Sequence, residues 1–588
     1  MIIQDPSTTK QEQLPKSFEG YDPVRSFFLD GPVTENVAVL DFDPVTGNLR
    51  QGACYNSGEK MNRIRGRYEN STGKDLYKIG EKALYSPEFM QVSVFATVLR
   101  TIDLFEKTEE ERYNVLGRPL KWAFDGKQLF IIPDAGVMAN AFYERDSHSL
   151  QFFHFPSLEN SNKIIYSCLS RDIVAHETGH AIIDGIAPDL MNNCSPESIA
   201  IHESIADLTA LLVAFSSHNL RVLILKQNDG SIHKPSHFTY IAEEFGINRG
   251  HKDGLRDLLN TKVLDQDPKS KIYKDPHELS EVISGALYEV MIKIHENYKH
   301  ELAESKEYNT KANRLFSASG KALMRSADRF KQMLFRALDF LPPGEVSFAN
   351  YYQAIVAADE IAYPDETQFR GWMKEAFMNR NIPVIDNSAY IKEGADNIPF
   401  ENIDVQNLYG SDWAAYEFVK KNLKLFQIPE GISFKIHPRL EVMKKNQNGT
   451  ENHECIFKVS WTITEKNDFD DDRIPDERRI IVGSTLVLNW NDGSLLSFLT
   501  SAPPDTFYKD PKEGDYNSRK FEFDRLYNSR NIFLEHLLEE GLLKIGRESF
   551  GPDGKLMRTT VHGEIVNNTL RVRGTTNLLH IIDSYGSD

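Results

Sequence analysis

The stretch Asp172-Ile173-Val174-Ala175-His176-Glu177-Thr178-Gly179-His180 decides how the chain is read. Its core is H-E-x-x-H. On a helix, residues four apart are separated by one turn and a small angular offset. His176 and His180 therefore share a face and can hold one metal ion. Glu177 lies about 100° further round, beside the metal rather than on it, where a base for an activated water belongs. The apolar flanks Ile173, Val174, Ala181, Ile182 and Ile183 predict a buried helix that ends near Gly185, before Pro188. Gly179 inside it costs about 1 kcal/mol relative to Ala. Either another backbone approaches closely there, or the glycine is simply tolerated.

A metal needs a third ligand, and the next helix offers one. It begins at Ser195-Pro196 and carries His202-Glu203-Ser204-Ile205-Ala206-Asp207. Two histidines and a glutamate are one of the catalytic zinc sets, with a position left for water. Asp207 stands one turn beyond Glu203 and is the candidate to fix the tautomer of a ligating histidine. Asp172, one turn before His176, reads equally as such a partner or as a cap of its own helix. The surrounding helix is strongly apolar (Ile199, Ile205, Leu208, Leu211, Leu212), and buried carboxylates need partners.

These segments resemble the thermolysin-like zinc peptidases, the gluzincin group. D-I-V-A-H-E-T-G-H-A is similar to that family's metal helix, and E-S-I-A-D to its glutamate segment. N-A-F-Y at Asn140 to Tyr143 resembles the family's edge strand. The resemblance implies that Asn140 and the backbone at Ala141 bind an extended peptide by strand addition. Asp275-Pro276-His277-Glu278-Leu279-Ser280 resembles the segment with the family's second histidine, so His277 is the implied donor to the oxyanion. The likeness covers roughly Ser86 to Ile385 and extends to the block from Ala337 to Asn381. Departures accompany it. The family's H-x-N-S-G is here His-Glu-Leu-Ser-Glu, His202 replaces the usual Asn before the glutamate, and no Tyr lies between His180 and Glu203. The implied function is zinc-dependent hydrolysis of peptide bonds, with Zn2+ as cofactor and a peptide or protein as substrate. The alternative is a catalytically impaired, zinc-stabilised binding or scaffold protein of the same fold.

Around this centre, 588 residues are too many for one ordinary core. The expected class is α+β. A thermolysin-like peptidase domain, with a β-rich N-terminal lobe and a helical C-terminal lobe, spans residues 21–385, and its active-site helices span 172–215. Residues 1–20 read as a flexible tail. Strand alternation after a Pro-, Gly- and Asn-rich boundary marks 397–588 as a separate α+β module, open to a partner or regulatory contact. Helices are predicted over 278–298, 318–341, 348–362, 367–379 and 521–545. The net charge of −18 and the lack of a basic stripe argue against nucleic acid. No run reaches the roughly 18 apolar residues of a membrane span. Four cysteines without a C-x-x-C pair fit a reducing compartment. No leader is visible at the start, so a cytoplasmic location is expected, or an extracellular one if the chain is a processed form.

Overall fold

A computed structural model describes residues 4–7, 31–56, 67–70, 72–74, 76, 84–106, 115–158, 160–248, 250, 252–267, 269–304, 318–385, 403–469, 474–504, 513–545 and 560–580. The fold is mixed α+β. A small sheet comes first. Strand β1 (Val37–Val39) precedes helix α1 (Pro87–Phe105), which Ser86 caps by accepting from Phe89 N, with Pro87 in the first turn. Strands β2 (Leu129–Ile132), β3 (Ala141–Glu144) and β4 (Ser149–Phe152) follow. Their order is β1-β2-β4-β3, so β3 ends the sheet, antiparallel to β4.

Helices α2 (Arg171–Ile186) and α3 (Pro196–Ser216) come next. By length and composition α3 alone among the described helices could cross a membrane. Here it is the centre of the core: every residue from Pro196 to Phe215 is buried. Two-residue strands β5 (Tyr240–Ile241) and β6 (Arg256–Asp257) pair beside it. Helices α4 (Pro276–Glu304), α5 (Ala318–Phe340), α6 (Phe348–Ala362) and α7 (Gln368–Asn379) complete this part, close to the predicted bounds.

Beyond the stretch 386–402, which holds the expected boundary and lies outside the described residues, come α8 (Val405–Gly410) and α9 (Asp412–Lys421). Strands β7 (Phe434–Ile436), β8 (Leu440–Lys445), β9 (Glu451–Lys466), β10 (Glu477–Asn489) and β11 (Leu495–Thr500) follow. Helix α10 (Glu513–Glu539) then leads to β12 (Leu543–Ile545), β13 (Val561–Val566), β14 (Thr569–Gly574) and a 3-10 turn at Thr576–His580. The predicted helix to Ile545 stops earlier because Gly541, at φ +69°, takes the left-handed conformation that ends helices. The long β9–β10 ladder is the spine of this second sheet. Strands β7 and β8 flank β9, and β11 and β14 flank β10.

This sheet is not a module apart, which corrects the expectation for 397–588. Phe457, Val459 and Trp461 pack under α9 with Ala415 and Val419. On the opposite face, Val442, Ile456, Val487 and Leu499 belong to the same core as α1 to α7. Thr485 Oγ1 donates to Leu341 O at 3.0 Å, and Arg336 Nη1 to Asn446 Oδ1 at 2.6 Å. Helix α10 docks on the start of α3, where Arg525 forms a buried ion pair with Glu197. The tail also differs from expectation at its described residues. Gln4 is buried, and its carbonyl accepts from Arg171 N at 2.8 Å.

Candidate metal centre

Helices α2 and α3 cross where Gly179 faces Ala206. A Cβ on Gly179 would stand 3.2 Å from Ala206 Cα and 3.3 Å from Thr209 Cβ. A side chain here would press on the facing helix, which accounts for the glycine despite its helix cost. The crossing brings His176 and His180 from α2 against Glu203 from α3. Ligand atoms of all three lie within 4.8 Å of one another, and all three residues are buried.

The atoms converge without satisfying one another. Glu203 Oε2 is 3.5 Å from His176 Nε2, and Oε1 is 3.4 Å from His180 Nε2. His277 Nε2 approaches Oε2 at 3.6 Å. Neither Glu203 oxygen has a hydrogen bond among the described residues. A buried, charged carboxylate left so is costly, and a cation held between it and the imidazoles removes that cost. Burial pushes the Glu203 carboxyl up, but the imidazoles of His277, His180 and His176 outweigh it and hold it well below the ordinary range. Burial likewise opposes charge on His176, yet the carboxylates of Asp207 and Glu203 push it up to about 10. The environment favours positive charge at this point.

Partners behind the ligands aim them. Asp207 Oδ1 lies 2.9 Å from His176 Nδ1, which leaves Nε2 directed at Glu203. The same carboxylate accepts two bonds of 2.7 Å from Arg256. His180 Nδ1 is 2.8 Å from His202 Nδ1. Burial holds His202 down to about 4, so it is neutral. For His180 Nε2 to keep its lone pair, His180 must donate through Nδ1 and His202 must accept.

Sequence reasoning missed Arg256 and the role of His202. Nothing in Gly254-Leu255-Arg256-Asp257 marks that arginine; only the β5–β6 pairing places it. His202 carried a signal, a polar residue directly before the ligand Glu203 in a buried helix.

Asp172 does not act on a ligating histidine, and that expectation is corrected. Its Oδ2 accepts from Ala242 N at 2.6 Å, its Oδ1 from Ile173 N at 3.0 Å, and Ser170 and Gln4 also bond to it. It latches the start of α2 to two distant segments. Asp275 is likewise a cap: its Oδ1 accepts from His277 N at 2.9 Å and Glu278 N at 3.1 Å.

A narrow cleft opens above the ligands, lined by Asn140, Ala141, His176, Glu177, Arg256 and His277 among others. Glu177 and His277 thus face one space. Glu177 Oε2 accepts from Tyr143 N of β3 at 3.0 Å. Asn140 and Ala141 reach the cleft, but Ala141 N is bonded to Asn140 Oδ1 at 2.8 Å. Two N–H groups on this free edge of β3 are therefore engaged within the molecule. Its far end meets the 3-10 turn, where Thr576 Oγ1 donates to Glu144 Oε1 at 2.6 Å.

No protein-family model matches the chain, and no curated protein matches it.

Proposed function

We propose that the chain is a zinc-dependent endopeptidase with a thermolysin-like two-lobed arrangement, its cleft running between the sheet that ends in β3 and the helices from α3 onward. The observation that carries this reading is the buried His176–His180–Glu203 group, with Glu177 beside it at the cleft. The donor set fits zinc: two imidazoles and one carboxylate suit a catalytic site with a position left for water. Of the buried carboxylates Glu177, Glu203 and Asp207, Asp207 is paired with Arg256, which leaves negative charge at the site suited to a divalent cation.

Zinc, when bound, supplies Lewis acidity and lowers the pKa of a coordinated water toward neutrality. Glu177 accepts the proton of the attacking water and returns it to the departing amine nitrogen. The Tyr143 N–H holds that carboxylate toward the cleft. His277 donates through Nε2 to the oxyanion that forms at the scissile carbonyl. Asn140 and the β3 edge align an extended peptide beside Glu177.

Glu177→Gln should retain zinc, measured by elemental analysis, and lose cleavage of an unstructured peptide library. Equal cleavage by both proteins overturns the assignment. The engaged N–H groups of Ala141 and Tyr143 favour a second reading, a zinc-stabilised binding protein without turnover. A zinc-loaded wild type that cleaves nothing in the library selects it.

A further inference from the structure

Away from the metal centre, a cavity of about 190 Å3 lies between β10, β14, α10 and the turn at Glu345. Four arginines line it: Arg478 and Arg479 from β10, Arg571 from β14 and Arg530 from α10. Arg530 is saturated. Its Nε donates to Glu345 Oε1 at 2.7 Å, and its other nitrogens pair with Glu345 and Glu465. Arg478, wholly buried, gives Nε to Glu465 and Nη1 to Asn531, each at 2.5 Å. Its buried Nη2 has no hydrogen bond among the described residues.

Arg479 and Arg571 stand side by side in the parallel β10–β14 register. Like charges so placed repel each other. Glu345 pairs with Arg530, and Glu465 Oε1 takes both Arg478 and Arg530, while its buried Oε2 has no hydrogen bond among the described residues. Glu564 faces Arg571 across the β13–β14 ladder, but no ion pair joins them among the described residues. Arg479 and Arg571 thus line the cavity without an ion pair among the described residues, and Arg478 adds a buried guanidinium nitrogen with an unused proton.

We propose that this cavity binds a small phosphate-bearing anion. Guanidinium forks match phosphate oxygens bidentately, and charge-assisted bonds of this kind are about twice as strong as neutral ones. At about 30 Å3 per water, the volume equals roughly six waters. That accommodates a phosphoryl or pyrophosphoryl group. The site lies close to α3: Asn193 and Glu345 form part of its wall, and Val346 N, next to Glu345, donates to Ser198 Oγ of α3 at 2.9 Å. An occupant braces the second sheet against the start of the ligand helix, independently of the metal and of turnover.

The test is calorimetric titration of the full-length protein with inorganic pyrophosphate at constant ionic strength, beside the double variant Arg479→Gln/Arg571→Gln. The variant keeps the metal centre, so chelation by pyrophosphate contributes equally to both proteins. Binding to the variant should be at least about tenfold weaker. In the wild type, pyrophosphate should also shield Arg479 and Arg571 from phenylglyoxal, read by mass spectrometry, which decides the matter if the variant fails to fold. Equal affinity of the two proteins, or no shielding at about 1 mM pyrophosphate, overturns the proposal. Tighter binding of citrate than of pyrophosphate overturns the phosphate assignment.

Discussion

Asp207→Asn separates two tasks that one carboxylate performs. Its Oδ1 holds His176 Nδ1 at 2.9 Å, and its two oxygens take bonds of 2.7 Å from Arg256. Asn keeps the shape and removes the charge, and its amide nitrogen must then face a donor. Arg256, only 8% exposed at its side chain, loses this ion pair. Removing one member of a buried pair costs about 3–5 kcal/mol. Losing the carboxylate behind a metal-binding histidine typically weakens metal affinity about 10–100-fold. By linkage, the zinc-loaded protein should lose roughly 1–3 kcal/mol more than the metal-free one. Native-state hydrogen exchange of α2 and α3 reads the first quantity, because a chain of this size need not unfold in one step. Competition with a chromophoric chelator reads the second. Adding Arg256→Gln to Asp207→Asn should restore most of the stability, since no buried charge is then unpaired, and leave the affinity low. If the single variant shifts local stability by less than about 1 kcal/mol and zinc affinity by less than about twofold, the account of this carboxylate is wrong.

Three further outcomes follow from the packing. Gly179→Ala gains about 1 kcal/mol of helix propensity but pushes a methyl against Ala206 and Thr209, an overpacking cost of about 1–3 kcal/mol. Zinc affinity should fall as α2 and α3 part, and a more stable variant with unchanged affinity would refute the crossing argument. Burial holds His295 down to about 4, below its ordinary 6.5, with Ser319 O as its neighbour at 3.3 Å. The folded state therefore resists the proton that the unfolded chain accepts. Stability is complete above pH 6.5 and falls, by on the order of 3 kcal/mol, as the pH drops through about 4. Melting temperature against pH should be flatter over this window for His295→Gln. Finally, a chain cut after Ile385 removes Val442, Ile456, Val487 and Leu499 from the main core and Arg525 from Glu197. It should lack a near-ultraviolet circular dichroism signal; a folded, zinc-binding fragment would show that the second sheet is dispensable.

Much of the centre was legible because helical spacing is local. His176, His180, Glu203 and Asp207 each repeat on a helical face, and a charged residue in an apolar helix announces a partner. Asp172 satisfied the same spacing and pointed the wrong way, because Ala242 and Gln4, its actual neighbours, arrive from loops without periodicity. Arg256 was illegible for that reason. In the second sheet, alternation revealed the strands but not their docking. The signal was present in Cys455-Ile456-Phe457: consecutive apolar residues on a strand point to opposite faces, so both faces must be covered. Ile456 meets the main core, and Phe457 meets α9. The 1–20 tail misled through its polar composition, which says nothing of Gln4 binding Arg171.

The contact between Thr576 and Glu144 spans 432 positions of sequence. Ribosomes add about 5–20 residues per second, so roughly 20–90 s separate the two ends of that bond during synthesis. Strand β3 emerges early and waits through this interval with an open backbone edge, the surface most prone to pairing with another chain. Glu197 waits nearly as long for Arg525, 328 positions later. The order of the elements thus sets how long the end of β3 and the start of α3 wait for their partners during synthesis.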